Sequence, residues 1–264
     1  NAASVVTGAL ISENNLFTPE SNCFYNVYAN GVIVWSPDYK CVWMTTKIFN
    51  KYLSLMKTTM TGMPIEDVVF ETDKISYVLI DGGVLYDVPD VADVIYISGA
   101  MFGEYARAKN GTDDYGCPTS DLIHVNAADA DDAFDYMNFT KAVMVCFKSS
   151  GAFRMEFDVA ENYLSSYSSY GPVIQFHEGY QASGTRYTYW HCKYKTECVK
   201  YSDARIDFIP MHNEIFEKFV EVNGVNKEEG FGKFLYPLGR SAVRNKDLTE
   251  CVYQNFAGGV IFKT

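Results

Sequence analysis

The chain has 264 residues, of which 48% are hydrophobic and 16% are aromatic, enough apolar material for a packed core. Its formal net charge of −11 disfavours nucleic acid and anionic membrane surfaces as partners, because both are negatively charged and would repel the chain. No stretch approaches the roughly 18 apolar residues of a membrane-spanning helix, so we expect no membrane insertion.

A hairpin pattern recurs five times along the chain. In each copy, apolar or aromatic residues alternate on both sides of a small residue, usually glycine, and the copy begins with a tyrosine. The copies are Tyr25-x-x-Tyr28-x-x-Gly31-x-Ile33-x-Trp35, Tyr77-x-x-Ile80-x-x-Gly83-x-Leu85-x-Asp87, Tyr136-x-x-Phe139-x-x-Ala142-x-Met144-x-Cys146, Tyr180-x-x-Ser183-x-x-Arg186-x-Thr188-x-Trp190 and Tyr253-x-x-Phe256-x-x-Gly259-x-Ile261. They begin 52, 59, 44 and 73 residues apart, which predicts a repeat architecture. We expect each hairpin to have one buried face and one wetter face.

Two further features accompany the hairpins. A proline-marked turn precedes them, as in Gly116-Cys-Pro118 and Tyr236-Pro237, and proline in such a position fixes φ for a turn. After each of the first four hairpins comes a stretch with helical spacing, at residues 47–57, 98–108, 159–168 and 213–222. Each repeat is therefore predicted to contain a turn, a hairpin with further short strands, and a short helix.

The fifth copy stops at Thr264, directly after its hairpin and without a helix. Near the N-terminus, Thr7-Gly8-Ala9-Leu10 matches Ser98-Gly99-Ala100-Met101, the predicted helix start after the second hairpin. We therefore predict that the N-terminal segment completes the last repeat, as happens when repeats close into a ring. The predicted fold is mainly β with a short helix per repeat: a five-bladed β-propeller closed by the N-terminal segment, in a single domain spanning residues 1–264.

The chain resembles the LGFP repeat family in three features. They are the turn Gly116-Cys-Pro118-Thr-Ser120-Asp121, the helix start Gly99-Ala100-Met101 and the hairpin Tyr253-Gln-Asn-Phe256-Ala-Gly-Gly259-Val-Ile261. The resemblance covers essentially the whole chain and implies a five-bladed propeller of the kind that holds bacterial cell-wall enzymes to envelope polysaccharide. No copy has the family's full Leu-Gly-Phe-Pro turn. Trp35 and Trp190 match the tryptophan that ends the family's hairpin, whereas Asp87, Cys146 and Lys263 stand in its place in the other copies.

The compartment is predicted from glycosylation sequons and from cysteine usage. Sequons occur at Asn110 and Asn138, and seven cysteines are present. Because the chain begins with Asn1, we also expect that a leader has been removed. Together these features predict a secreted, disulfide-bonded glycoprotein.

The cysteine pairs are predicted from what they bracket. Cys192 and Cys198 enclose a short polar turn that a disulfide would staple, and Cys23 and Cys41 enclose the first hairpin. No pair has the Cys-x-x-Cys spacing of a zinc or thioredoxin-like site. The alternative is a reduced protein in which the thiols are buried structural groups.

Enzyme and metal signatures are weak. The sequence contains no Gly-x-Ser-x-Gly elbow, His-Glu-x-x-His, phosphate-binding loop or dinucleotide fingerprint, which favours a protein without catalysis and leaves an enzyme as the alternative. The acidic run Asp129-Ala-Asp131-Asp132 is a calcium candidate because hard cations prefer carboxylate oxygens. It lacks the spacing and the glycine of an EF-hand, so a solvated acidic loop is the other interpretation. No other cofactor is expected.

Aromatic residues at or beside the hairpin ends are the candidate ligand contacts. A sugar ring presents C–H bonds to an aromatic face and hydroxyl groups to polar neighbours, so aromatic and polar side chains together favour carbohydrate binding. The candidates are Trp35, Trp190, Tyr86, Tyr189, Asp87 and His191. The leading hypothesis is a secreted lectin-like propeller that binds glycans. Its alternatives are a secreted enzyme with one active site in the central funnel or in a single blade, and a structural or storage protein.

Overall fold

The computed structural model describes residues 7–16, 22–57, 62–72, 75–89, 91–109, 115–180, 184–202, 205–222, 236–239, 242–246 and 249–263. These residues form a mainly β structure with several antiparallel sheets and a few short helices, which is the class that the sequence predicts.

The described strands make five antiparallel sheets, in each of which strands that follow one another in the chain lie side by side. The first sheet contains β1 (Leu10–Leu16), β2 (Phe24–Tyr28), β3 (Gly31–Ser36) and β4 (Lys40–Met44). The second contains β5 (Val69–Phe70), β6 (Ser76–Ile80), β7 (Gly83–Asp87) and β8 (Ile95–Ser98). The third contains β9 (Ile123–Val125), β10 (Phe134–Asn138), β11 (Val143–Phe147) and β12 (Gly151–Met155). The fourth contains β13 (Val173–Tyr180), β14 (Arg186–Cys192), β15 (Thr196–Tyr201) and β16 (Ile206–Met211), and the fifth contains β17 (Ala242–Lys246), β18 (Thr249–Phe256) and β19 (Gly259–Lys263).

A helix follows the last strand of each of the first four sheets, as the sequence predicts. The helices are α1 (Thr46–Met56), α2 (Gly99–Lys109), α3 (Phe157–Ser165) with the single turn α4 (Tyr167–Tyr170), and α5 (Asn213–Glu221). The buried face of α5 carries Ile215, Phe216 and Phe219, the residues that the helical spacing selects. Within the described residues, no helix has the length and apolar character that a membrane crossing requires.

The chain divides into two compact units. The first comprises residues 1–124, 135–146 and 152–154, and the second comprises residues 125–134, 147–151 and 155–264. The first unit holds the first two sheets and most of the third sheet, and the second unit holds the fourth and fifth sheets. A single domain for residues 1–264 stays a prediction.

Each buried core within a unit lies between two successive sheets and includes the helix that connects them. In the first unit, α1 packs with the first and second sheets, and α2 packs with the second and third sheets. In the second unit, α5 packs with the fourth and fifth sheets. The second sheet is therefore buried on both faces: Leu85 of β7 belongs to one core, and its neighbours Val84 and Tyr86 belong to the other. The prediction that every hairpin has a wetter face is wrong for this sheet.

The turn of every repeated hairpin is held by a short segment that precedes the hairpin in the chain. In the third sheet, the main-chain N–H groups of Thr140 and Lys141 donate to the carbonyls of Cys117 and Tyr115, at 2.9 and 3.0 Å. We call this arrangement the clamp. The same hydrogen bonds join Ala29 to Ala9, Asp81 to Met63, Lys193 to Pro172 and Ala257 to Tyr236. A proline lies in or directly after the clamping segment in four repeats, at Pro64, Pro118, Pro172 and Pro237, whereas the segment of the first repeat, residues 7–9, has none.

The clamp corrects the register of the fourth copy. In the other copies the clamped turn begins four residues after the repeated tyrosine, and in the fourth sheet it begins at Lys193. The equivalent tyrosine is therefore Tyr189, and the prediction that used Tyr180 is wrong. The copies then begin 52, 59, 53 and 64 residues apart, a more even spacing than the sequence pattern suggested. Trp190 consequently directly follows the repeated tyrosine instead of ending the hairpin.

The N-terminal segment also differs from its prediction. Leu10–Leu16 is a strand that pairs with β2 in the first sheet, so the match to a helix start is wrong. Thr7 and Ala9 accept hydrogen bonds from Asn30 and Ala29, which is the clamp of the first repeat. Gly8 has φ of +78° and Gly116 has φ of +76°, which shows why a glycine stands at this position in both clamps. The segment thus supplies the turn and first strand of its own sheet.

Candidate functional site

Trp35 is the predicted ligand contact that the structure leaves on the surface. It lies in β3 directly opposite Phe24 of β2, and the two ring centroids are 5.8 Å apart. Its side chain is 39% exposed. The two rings line a groove of about 340 Å³ together with Tyr25, Asn26, Ile33 and Cys41. We call this groove the Trp35 groove; it offers an apolar ring face with an amide group beside it.

The second-sheet candidates, Tyr86 and Asp87, point to different environments. Tyr86 is buried, and its hydroxyl accepts a hydrogen bond from the Tyr105 hydroxyl at 3.0 Å. Asp87 forms an ion pair with Lys47 of α1 at 2.6 Å. Tyr86 is therefore a core residue, and the Asp87 carboxylate is occupied by a cation from its own unit.

The fourth-sheet candidates are consecutive residues of β14, so they alternate between its two faces. Tyr189 is fully buried against Phe216 of α5, at 5.6 Å between ring centroids. Trp190, on the other face, is only 4% exposed and packs on Phe176 at 4.6 Å. As surface contacts for a ligand, Tyr189 and Trp190 were wrong predictions. The repeat register is the reason, because Trp190 is not the residue that ends the hairpin.

His191 lies half-buried beside α5. Its ring centroid is 5.3 Å from that of Phe216, and its Nε2 is 3.9 Å from Glu217 Oε1. Burial lowers the pKa of His191 and also that of His177 on the neighbouring strand, since a charged imidazole loses hydration there. His191 thus packs against a helix, where burial favours the neutral form of its ring.

The acidic run of the calcium prediction is held by a lysine. Lys193 Nζ lies 2.7 Å from Asp132 Oδ1 and 3.2 Å from Asp129 Oδ2, and the Tyr194 hydroxyl donates to Asp132 Oδ2 at 2.7 Å. Asp131 donates its main-chain N–H to Asp129 Oδ1. Lys193 thus pairs with two of the three carboxylates, and the run forms an ion-pair cluster with it. In the described part of the chain, no group of three or more His, Cys, Asp or Glu side chains is placed to hold a metal.

Neither predicted disulfide forms, and the strand register gives the reason. Cys198 lies opposite Tyr189, three residues along the hairpin from Cys192, which corresponds to a separation of about 10 Å. Cys23 directly precedes β2 and Cys41 lies in β4, and β3 runs between those two strands, so the two cysteines are again about 10 Å apart. A disulfide requires Cα atoms within about 7 Å.

We expect the thiols to differ in reactivity according to their burial. Cys41 is exposed, whereas Cys192 and Cys198 are buried. Burial raises the pKa of the Cys192 and Cys198 thiols, so the reactive thiolate is scarce as well as inaccessible. Alkylation without reductant, mapped by mass spectrometry, should modify Cys41 in the native protein and Cys192 and Cys198 only in denaturant. Peptides that stay joined through Cys192 and Cys198 would contradict the structure.

The two sequons have different outcomes. Asn138 is half-buried at the end of β10, where its main-chain N–H donates to Ser120 Oγ at 2.9 Å. Asn110 lies outside the described residues. Glycosylation at either asparagine stays a prediction.

A larger cavity, which the sequence did not indicate, lies in the second unit beside the fourth sheet. We call it the Glu197 cavity; its volume is about 630 Å³. Glu197 of β15 lines it and is 4% exposed. The Tyr170 hydroxyl and Asn162 Nδ2, the latter at 3.2 Å, both donate to Glu197 Oε2, while Oε1 has no hydrogen-bond partner among the described residues. Burial raises the pKa of Glu197 because the carboxylate loses its hydration.

The remaining wall of the Glu197 cavity combines charged and aromatic groups. The charged residues are Lys200, Arg205 and Asp207, and Arg205 Nε lies 2.7 Å from Asp207 Oδ1. The ring-bearing residues are Phe208, Tyr236, Pro210 and Pro237. Correct alignment of the fourth copy would have pointed to Glu197, because it places a glutamate at a repeat position that is otherwise apolar.

Comparison with known proteins adds no family. No family model and no curated protein matches the chain. One solved structure that matches is the complex of the fission yeast SREBP-SCAP binding domains, with 8% sequence identity and a TM-score of 0.17. The match covers 96% of this chain and 57% of that chain, so the chain spans little more than half of its length. A TM-score this low supports no statement about fold or function.

Proposed function

We propose that this chain is a secreted carbohydrate-binding protein, and that glycans bind in the Trp35 groove. The observation that carries the proposal is the exposed Trp35 ring, with Phe24 and the Asn26 amide in the same groove. A sugar can place its C–H face on the indole ring and a hydroxyl group on the amide, which is the usual combination in such sites.

The proposal includes the arrangement of the five sheets as blades of a propeller. It is supported by the cores, because each lies between successive sheets as the blades of a propeller require. The same proposal includes the resemblance to LGFP repeats and the link to envelope polysaccharide that this resemblance implies. Closure of the ring by the N-terminal segment is not part of the proposal, because β1 belongs to the first sheet.

One glycan site is proposed instead of five. Ten residues after the repeated tyrosine, only the first copy has a tryptophan once the fourth copy is aligned by its clamp. The same position holds Asp87, Cys146, Val199 and Lys263 in the other copies. Asp87 pairs with Lys47, and Lys263 pairs with Glu214. These side chains offer no aromatic face, so we expect monovalent binding without the avidity of repeated sites.

The decisive experiment measures glycan binding by a Trp35→Ala variant. An array of glycans identifies the ligand, and calorimetry on the best hit should show affinity weakened about tenfold or more by loss of the indole face. Trp35→Phe should retain part of the affinity. Phe157→Ala serves as control, since Phe157 is also an exposed aromatic residue but lies at the start of α3. An array without hits, or equal losses in both alanine variants, would refute the proposal.

An enzyme with one active site is the second candidate. It is supported by the Glu197 cavity, which combines a buried carboxyl group of raised pKa with charged walls in a single sheet. It predicts turnover of the array ligand by the wild-type protein and none by Glu197→Gln. Binding without turnover supports the leading proposal.

A further inference from the structure

Two apolar residues of the fifth sheet are exposed at positions that every other copy of the repeat buries. Val260 and Phe262 of β19 stand seven and nine residues after the repeated tyrosine, Tyr253. They are 50% and 66% exposed. At the same two positions in the other four copies, the residues are at most 4% exposed: Val32, Val34, Val84, Tyr86, Val143, Val145, Thr196 and Cys198. The fifth sheet therefore leaves uncovered a face that belongs to the core in the other repeats.

The other copies show what covers this face. In the first sheet, Val32 and Val34 share a core with residues of β4 and α1. In the second sheet, Val84 and Tyr86 share a core with residues of β8 and α2. In the fourth sheet, Cys198 shares a core with residues of β16 and α5. The cover in each case is the fourth strand of the sheet together with the helix that follows that strand.

The fifth sheet has an open place for both parts of this cover. In the described part of the chain it has three strands, and β19 pairs there with β18 on one side and with no strand on the other. An unpaired strand edge offers main-chain donors and acceptors to one further strand. Val260 and Phe262 offer apolar area beside that edge, and burial of such area drives association. We call this edge and these two side chains the fifth-sheet face.

The contacts of the other sheets indicate which kind of segment fits. In the first sheet, Val42 and Met44 of β4 lie opposite Val34 and Val32, so the apolar side chains of the fourth strand extend the same core. A second copy of this chain offers no such helix from its described residues, because α1, α2, α3 and α5 already bury their apolar residues. The net charge of −11 attracts a positively charged segment.

We propose that the fifth-sheet face binds a partner protein through a short β-strand followed by an amphipathic helix with a basic polar side. The partner's strand pairs with the outer edge of β19, and the apolar side of its helix packs on Val260 and Phe262. Strand addition and helix docking are both recurring modes of peptide recognition. The site is separate from the Trp35 groove, which lies in the first sheet.

A peptide with the sequence of residues 40–57 is the probe for this proposal, with Cys41→Ser to prevent disulfide formation. It contains β4 and α1, and it carries four lysines and no acidic residue. Fluorescence anisotropy of the labelled peptide, titrated with the 264-residue protein, should show saturable binding. Addition of the peptide should shift the backbone amide NMR signals of Val260 and Phe262 and leave that of Phe157 unchanged.

Matched variants of the protein and of the peptide locate the contact. Phe262→Ser should weaken peptide binding at least tenfold, because it removes the largest apolar side chain of the fifth-sheet face. Phe157→Ser removes another exposed ring, at the start of α3, and should leave the affinity unchanged. Both protein variants should keep the melting temperature of the wild type, since both rings are exposed. A peptide with Phe49→Ser and Tyr52→Ser keeps its charge but loses its apolar side, and it should bind at least tenfold more weakly.

Several results would overturn the proposal. Absence of saturable binding would do so directly. Equal affinity of the two protein variants, or of the two peptides, would assign the binding to charge alone. Amide shifts confined to the first sheet would mean that the peptide replaces β4 and α1 there. A dimer of the protein without peptide, detected by sedimentation and dissociated by Phe262→Ser, would assign the fifth-sheet face to a second copy of the chain.

Discussion

Replacing Phe219 by alanine is expected to lower the free energy of unfolding by about 3–5 kcal/mol. Phe219 is fully buried on α5, and its ring centroid lies 4.7 Å from that of Phe256 and 5.7 Å from that of Tyr189. The substitution removes apolar contacts to the fourth and fifth sheets together and leaves a cavity between them. Urea denaturation, extrapolated to water, measures the change.

Phe262→Ala is the matched control for this prediction. Phe262 is in β19 of the fifth sheet, and its side chain is 66% exposed. Removing a ring that is already in water should change the free energy of unfolding by no more than about 0.5 kcal/mol. Similar losses in the two variants would mean that α5 does not hold the two sheets together as described.

Gly116→Ala is expected to destabilise the protein by about 1–3 kcal/mol through the clamp of the third sheet. Gly116 has φ of +76°, and an added Cβ would lie 2.0 Å from Thr140 Oγ1. That hydroxyl accepts a hydrogen bond from the Cys117 N–H, so moving it also weakens the clamp. The same urea measurement should show the loss, and backbone amide exchange should show faster opening of the Thr140 N–H.

Gly103→Ala is the same chemical change, but we expect it to stabilise the protein. Gly103 lies inside α2, and apart from its chain neighbours and the helix backbone no atom stands within 4 Å of an added Cβ. Alanine restricts the unfolded chain and favours the helix, so this variant should gain about 0.4–1 kcal/mol. If Gly116→Ala were as stable as Gly103→Ala, the positive φ of the clamp would not matter for folding.

Local patterns of apolar and polar residues were sufficient to predict much of the secondary structure. Alternation of apolar residues predicted the hairpins at Tyr25, Tyr77, Tyr136 and Tyr253, and helical spacing predicted α5. These signals depend on residues within one hairpin or one helical turn. The prediction of the fourth hairpin was wrong because Tyr180 and Trp190 also lie in paired strands, β13 and β14. The sequence pattern therefore placed the hairpin one strand too early.

The candidate site was less predictable than the fold. Of the four predicted aromatic contacts, only Trp35 is exposed, since Tyr86, Tyr189 and Trp190 pack inside their units. Burial of a large ring depends on which sheet or helix lies against that face of the strand, and one hairpin contains no information about its neighbour. The same reasoning explains the missed cavity, because its walls come from residues 162 to 239.

The sequence by itself determined the repeat, its mainly β class, and the positions of most hairpins and helices, because each is set by the order of apolar and polar residues over a few positions. Only the tertiary structure decided which of the candidate side chains are buried and which stay exposed. Glu197 meets Tyr170 and Asn162, 27 and 35 residues earlier in the chain, and the clamp that identifies its position joins Lys193 to Pro172, 21 residues earlier. Contacts at such separations arise from packing, so no local pattern could have shown that one copy of the repeat had exchanged a core residue for a buried carboxyl group.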